Sequence, residues 1–313
     1  TISRTETVRK IFFAIVLAMI VCSVFGAFEA YGANGALTFF PKAGHHFSML
    51  EETDREIRVQ STFDHPILFG AALAMAITVA LYLVTTVQKA WQTAFLWFGI
   101  MLMFLNIYKT SSRGPWLDVI LACILLAVFA HGKVRKNVLI IGALAVTSMI
   151  IRPGIWATVA GIYDNSFDMN TSTGTSYEYR YALQHAVTNK LLQSPERALW
   201  GYGLESFYDL QIVDDFLGKP HLFLSCDSSW AELMLETGFV GLCIIIVILF
   251  RPMWHAWRSY RTLLGPNRDL SLMLLINFIV FYFQMYSVGM YSWGQNGYML
   301  WMLIAITFAY PLC

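Results

Sequence analysis

The chain has 313 residues, 57% of them hydrophobic and only 13% charged, with a mean hydropathy of +0.57 and a formal net charge of +1. A water-soluble core of this length does not string many apolar runs of bilayer-spanning length between short polar breaks, so the composition excludes a soluble globular protein. Nor does so small a net charge support a nucleic-acid partner, and none is expected.

Taken in chain order, apolar runs lie near residues 10–28, 66–86, 91–107, 115–131, 136–151, 230–250, 270–288 and 297–312. They predict an all-α, polytopic helical membrane protein with about eight transmembrane helices, forming a single membrane domain over residues 1–313. The connectors sort by charge. Arg4, Arg9 and Lys10, then Lys89, then Lys133, Arg135 and Lys136, then Arg251, Arg258, Arg261 and Arg268 fall on one set of alternating connectors. By the positive-inside rule this set is cytoplasmic. The opposite set comprises an outer loop at 29–65, rich in acids, the turn holding Arg113, a large, partly helical outer loop at 152–229, and the short turn Tyr291–Gly297. Thr1 opens a basic stretch, and no small-residue cleavage site follows the first span. The first run therefore reads as a span rather than a signal peptide. No repeat of 20 to 50 residues is visible.

Five cysteines, mostly inside apolar runs, suggest packing thiols rather than a disulfide framework. The histidines His45, His46, His65, His185 and His221 do not share a metal-ligand spacing, so neither a metal nor a cofactor is expected.

Arg113, in Lys109-Thr-Ser-Ser-Arg-Gly-Pro-Trp116, is the most informative residue. An ionisable group at a membrane boundary is costly, and this one sits on the side where basic residues are scarce, which points to anion handling. Its plainer reading is an interfacial anchor or a partner for Asp118. In the large outer loop, Tyr177–Leu192 has apolar residues at helical spacing and stops before Ser194-Pro195, predicting an amphipathic helix. On it, Arg180 and Gln184 share a face and His185 is offset. For Arg180 alone, a salt bridge to Glu178 or Glu196 competes with anion binding. A glycine turn follows at Trp200–Phe207, and Gly201 and Gly203 read most simply as that turn. Asp227-Ser-Ser-Trp230 then leads into the next span, where Asp227 has the alternative reading of a helix N-cap. Glu232 and Glu236 lie four apart within that span.

The order of these segments resembles the O-antigen ligase and polysaccharide polymerase superfamily. Four motifs carry the resemblance, and three of them are Ser112-Arg-Gly-Pro-Trp116, the Arg180 helix ending before Pro195 and Gly201-Tyr-Gly203, and the polar pair Asp227-Ser228 leading to Glu236-Thr-Gly-Phe-Val-Gly241. Arg58-Val-Gln-Ser-Thr-Phe-Asp-His-Pro66 is similar to the family's arginine-to-Asn-Pro stretch. The similarity covers roughly residues 55–250, and it implies further spans upstream of Thr1. It also implies a GT-C-related, metal-independent fold in the bacterial inner membrane, transferring a glycan from an undecaprenyl-diphosphate carrier to an acceptor sugar hydroxyl at the periplasmic face. The implied partners are that lipid-linked glycan, membrane lipids and other polysaccharide-assembly proteins. Arg113 and Arg180 match the family's two diphosphate-binding arginines, with Arg58 a third candidate. Chemistry agrees, because a diphosphate leaving group without a metal needs preorganised cations, and guanidinium offers a permanent charge with a bidentate fork.

Ligases of the family carry a histidine-asparagine pair where this chain has Asp227-Ser228. That departure makes Asp227 the positional substitute for the general base, with Glu232, His185 and His221 as nearby acid-base or substrate-binding candidates. It also favours a chain-elongating polymerase over a ligase. A polysaccharide transporter or flippase is the further alternative, and it would show interrupted helices in matching halves.

Overall fold

The computed structural model describes residues 5–31, 58–152, 154, 160, 161, 164, 172–290 and 294–309. Among these, the chain forms eleven helices and one two-stranded hairpin. The helices are α1 Thr5–Tyr31, α2 Pro66–Thr86, α3 Ala90–Lys109, α4 Arg113–Phe129, α5 Gly132–Ile151, α6 Ser172–Leu192, α7 Pro195–Trp200, α8 Ser206–Asp209, α9 Ser229–Thr262, α10 Gly265–Gln284 and α11 Gly294–Ala309. The strands β1 Val213–Phe216 and β2 Lys219–Leu222 pair antiparallel. Among the described residues, five helices are long and apolar enough to cross a membrane: Glu6–Tyr31, Pro66–Thr86, Ala90–Lys109, Gly132–Ile151 and Ser229–Thr262. The other three predicted runs coincide with α4, α10 and α11, of 17, 20 and 16 residues. An all-α polytopic membrane protein is therefore what the sequence builds.

The chain divides into two units. The first comprises Thr1–Ile140, Pro252–Gln284 and Gly294–Cys313. Its hub is α2, which packs against α1, α3, α4, α10 and α11 and is buried along nearly its whole length. Small residues make this approach feasible, because lipid offers no hydrophobic drive and close backbone packing must supply the contact. A Cβ added to Gly70 would lie 2.6 Å from the Pro115 ring, and one added to Gly114 would lie 2.5 Å from the Gln284 amide. Hydrogen bonds between helices reinforce the hub. The amide of Asn277 donates to Thr78 Oγ1 at 2.6 Å, and that of Asn296 donates to the Leu68 carbonyl at 3.1 Å. His65 caps α2 by accepting the Ile67 N–H on Nδ1, with Pro66 at the first helical position. Histidine thus performs here the capping that an asparagine would perform.

The second unit comprises Ile141–Arg251 and Met285–Trp293. Predicted from 177 to 192, the outer-loop helix α6 begins five residues earlier and ends where expected. Its buried stripe, Ala182, Leu183, Ala186 and Val187, packs with Phe207, Ile212, Phe223, Ala231 and Leu235. Tyr177, Tyr181, His185 and Asn189 form the exposed stripe. At the base of the hairpin, the Phe223 N–H donates to the Ile212 carbonyl at 3.0 Å.

α9 is interrupted at Gly238, whose backbone (φ 65°, ψ −174°) is not helical. The break would orphan carbonyls at the end of the helix's first section. They are satisfied by the glycine turn, with Tyr202 N–H donating to Leu235 O and Gly203 N–H to Glu236 O, each at 3.0 Å. The two backbones touch through glycines. A Cβ on Gly201 would lie 2.3 Å from Glu236 O, and a Cβ on Gly238 would lie 2.4 Å from Leu199 O. Both glycines also have positive φ. Alanine at either position is therefore expected to cost on the order of 3 kcal/mol, since a backbone neighbour cannot yield as a side chain can. Gly142 in α5 has nothing within 4 Å of a built Cβ, so Gly142→Ala is expected to leave stability unchanged or slightly raised. Thermal unfolding of the purified variants checks this contrast.

Candidate functional site

In the first unit, Arg58 is fixed to the turn that precedes Arg113. Its Nε donates to the Thr110 carbonyl at 3.0 Å and its Nη2 to Ser112 Oγ at 2.6 Å, while Ser112 Oγ donates onward to Thr110 O. The neighbouring backbone is joined as well, by Val59 N–H to Lys109 O at 3.1 Å. Ser112 is the N-cap residue of α4 and Arg113 its first residue, half-buried. Trp116 stacks on Tyr108 with centroids 5.7 Å apart and donates its indole N–H to Ile107 O. Ser-Arg-Gly-Pro-Trp is thus a rigid corner in which Gly114 and Pro115 set helix packing and Arg113 stands at the helix start. Asp118, the suggested partner of Arg113, is fully buried and faces Gln284. With that amide oriented nitrogen-first, it donates to both carboxylate oxygens at 3.1 and 3.3 Å.

The same corner is tied to the start of the outer loop. Glu29, buried near the end of α1, accepts the N–H groups of Gln60 and Ser61, and Ser61 Oγ donates to Cys22 O at 2.6 Å. Residues 32–57 of the predicted outer loop lie outside the described residues.

In the second unit, Arg180 does not pair with Glu178 or Glu196. Its Nε donates to the Ser287 carbonyl at 3.0 Å and its Nη1 to the Ser176 carbonyl at 3.2 Å. Carbonyls orient a guanidinium without neutralising it, and five N–H donors leave it capacity for an anion. The turn that holds it is itself fixed by α9: Ser229 N–H donates to Met285 O at 2.9 Å and Ser229 Oγ to Val288 O at 3.1 Å.

Asp227 stands just before α9, but the helix cap belongs to Ser228, whose Oγ accepts the Ala231 N–H at 3.4 Å. Asp227 Oδ1 instead accepts from Ser225 Oγ at 3.1 Å, and the residue is half-buried. Burial, then the negative charge of Asp227, pushes the Tyr179 phenol above its ordinary range, with Arg180 opposing. Burial followed by Glu232 does the same to Tyr208. Two phenols that stay protonated therefore stand in the electrostatic neighbourhood of Asp227. Burial and Glu232 push the Cys226 thiol up to about 12, so it stays protonated too. Glu236 accepts the Glu205 N–H at 2.7 Å and so helps hold the glycine turn rather than facing an open site.

The two candidate histidines differ. His221 is on β2 inside an aromatic cluster with Tyr179, Phe216 and Phe223, at centroid distances of 5.8, 5.2 and 5.1 Å. His185, on the exposed stripe of α6, has Nδ1 3.4 Å from Asp214 Oδ2 on the hairpin and 3.1 Å from the Asn189 amide. The Asp214 carboxyl sits below the usual range, chiefly through the Asp215 N–H and secondarily through His185. Sequence reading did not find Asp214, Tyr179, Tyr208 or Ser225, because each acquires its neighbours through a turn or strand pairing rather than through helical spacing. Among the described residues, no three His, Cys, Asp or Glu side chains are grouped to hold a metal ion.

A model of the O-antigen ligase family matches residues 98–246, just under half of the chain. The match runs from α3 into α9 and contains Arg113, Arg180, His185, His221, Asp227 and Glu232, leaving Arg58 outside. The resemblance to the O-antigen ligase and polysaccharide polymerase superfamily is thus shown, and it supports a ligase or polymerase activity in general terms. Comparison with curated proteins gave no match.

Proposed function

We propose that this multi-pass membrane protein is a metal-independent polysaccharide polymerase, extending a glycan carried on undecaprenyl diphosphate at the periplasmic face of the bacterial inner membrane. The observation that carries the reading is that the family match encloses Arg113, Arg180 and Asp227 together. An acceptor sugar hydroxyl attacks the anomeric carbon of the lipid-linked glycan as its proton passes to the Asp227 carboxylate. The bond from that carbon to the diphosphate oxygen breaks, and the lipid diphosphate departs with the electron pair. Arg113 and Arg180, with Arg58 supporting the first, meet the charge that develops there. Asp227-Ser228 in place of the ligases' histidine-asparagine pair favours elongation over transfer to a lipid A core.

Transport is the less favoured reading, because the broken ends of α9 are filled by the backbone of Tyr202 and Gly203 rather than presented to a cavity as in transporters.

The test uses purified protein in nanodiscs supplied with a synthetic lipid-diphosphate oligosaccharide. The expected result is a ladder of lengthening glycan with one lipid diphosphate released per step. Release with a single transfer to added lipid A core favours the ligase, and movement across the bilayer without release overturns both.

A further inference from the structure

At the end of the first unit remote from Arg113, a cavity of about 580 Å³ opens among the helix ends. α4 separates the two ends, and its 17 residues at roughly 1.5 Å rise each place them about 25 Å apart. The cavity is lined by Arg9, His131, Lys133 and Arg268, by the hydroxyl-bearing last turn of α2, and by a single carboxylate, Asp269.

The charge there is unbalanced. Three permanent cations face one carboxylate, and among the described residues none of Arg9, Lys133 or Arg268 has a carboxylate oxygen within 4.0 Å. Neighbours that carry no charge orient the two arginines instead. Arg9 Nη2 donates to the Thr86 carbonyl at 3.1 Å. Arg268 lies over the Tyr260 ring, 4.8 Å from its centroid, and donates from Nη2 to its hydroxyl at 3.2 Å. That hydroxyl in turn donates to Phe129 O at 2.8 Å, which fixes the ring and the guanidinium above it. Among the described residues, the buried Arg268 Nε–H has no hydrogen-bond partner. A buried donor is costly to leave unpaired, and an anion in the cavity is one acceptor that could meet it. Two 20-residue helices also begin at the cavity, α5 at Gly132 and α10 at Gly265, adding partial positive charge and backbone donors.

We propose that this cavity binds a phosphate-bearing anion, either the headgroup of an anionic membrane lipid or a free phosphate species. Several donors converging from separate elements suit the three or four oxygens of a phosphate better than a planar carboxylate, and arginine and lysine are the side chains that recognise it. The volume holds a phosphate ester together with its attached polar group. Basic pockets among membrane helices are a known form of lipid-headgroup recognition, and this one lies on the side that carries the basic connectors. The site is separate from the proposed donor site and does not depend on that reading.

The experiment is native mass spectrometry of the full chain from nanodiscs containing phosphatidylglycerol and phosphatidylcholine, alongside calorimetry with inorganic phosphate and pyrophosphate. The wild type is expected to retain phosphatidylglycerol selectively, and Lys133→Gln/Arg268→Gln to lose at least tenfold of that selectivity. Lys133→Gln alone, which leaves the Arg268–Tyr260 contact intact, is expected to lose about threefold even if the double variant is unstable. Lys136→Gln, a neighbouring cation that does not line the cavity, is expected to behave as wild type. Saturable binding of phosphate or pyrophosphate, lost in the same variants, identifies the soluble source and equally supports the site. Equal retention by wild type and Lys133→Gln in every arm, or equal loss in Lys136→Gln, overturns it.

Discussion

Arg113→Ala and Arg180→Ala each abolish polymer formation while protein level and membrane insertion stay unchanged. This is the largest effect expected of any substitution in the chain. Removing one preorganised donor from a developing oxyanion costs about 2.7–4 kcal/mol, a factor of roughly 10² to 10³ in rate, and elongation compounds that loss at every step. The structure gives the expectation a physical basis at Arg180. Two backbone carbonyls hold its guanidinium without a carboxylate, so its orientation is settled before substrate arrives and its charge is not already neutralised. Arg→Lys is expected to rescue poorly at both positions. A lysine ammonium is a point charge, and it cannot contact the carbonyls of Ser176 and Ser287 while also offering a fork to a diphosphate. The measurement is glycan length on a gel of extracted polymer, with thermal unfolding run in parallel. Near-normal polymer from either alanine variant would remove that arginine from the site.

The second expected result separates chemistry from helix capping. Asp227→Asn lowers turnover about a hundredfold or more, the usual scale of acid-base assistance, and leaves lipid-diphosphate binding intact. Ser228→Ala does the reverse. It removes the side chain that accepts the Ala231 N–H, costing about 1 kcal/mol of stability, and turnover is nearly retained. Because the cap and the proposed base are adjacent but distinct residues, the pair of variants distinguishes a structural role from a catalytic one. Full activity in purified Asp227→Asn protein would pass the role to His185 with its Asp214 partner, to Glu232, or to His221. Of these, His221 would first have to leave its aromatic cluster.

How far the fold was legible depended on the length scale of each signal. Apolar runs report on twenty residues at once, and α1, α2, α3 and α5 lie close to where hydropathy alone puts them. The end of α6 was legible for a local reason, the Ser194-Pro195 step. By contrast, the break in α9 was hidden. Glu-Thr-Gly-Phe-Val-Gly was visible as a motif, but hydropathy is continuous across it, and the partner that fills the break lies more than thirty residues earlier. The hairpin was missed because its strands are four residues long with a proline in one of them. Of the candidate site residues, Arg113 was readable because a cation beside an apolar run on the base-poor side is unusual, and Arg180 because of its place in the order of motifs. The setting of Asp227, by contrast, is made by Tyr179 and Ser225, whose proximity no spacing encodes. Arg9, Lys133 and Arg268 were noticed only as markers of orientation, since nothing in the sequence says that they line one cavity.

The Ile212–Phe223 clasp has a consequence for how this protein can be altered. Both residues are buried and joined by a backbone bond, so the ten residues beyond them project from a closed base and are not strung between moving parts. Leu217 and Gly218 both have positive φ at the tip, the geometry of a two-residue hairpin turn that Asn-Gly fills with less strain. Lengthening or exchanging that tip changes loop-closure entropy only slowly with length. The two-residue tip, rather than the strands that hold Asp214, Phe216 and His221 against α6, is therefore the natural place to graft a tag, a label or a foreign recognition loop.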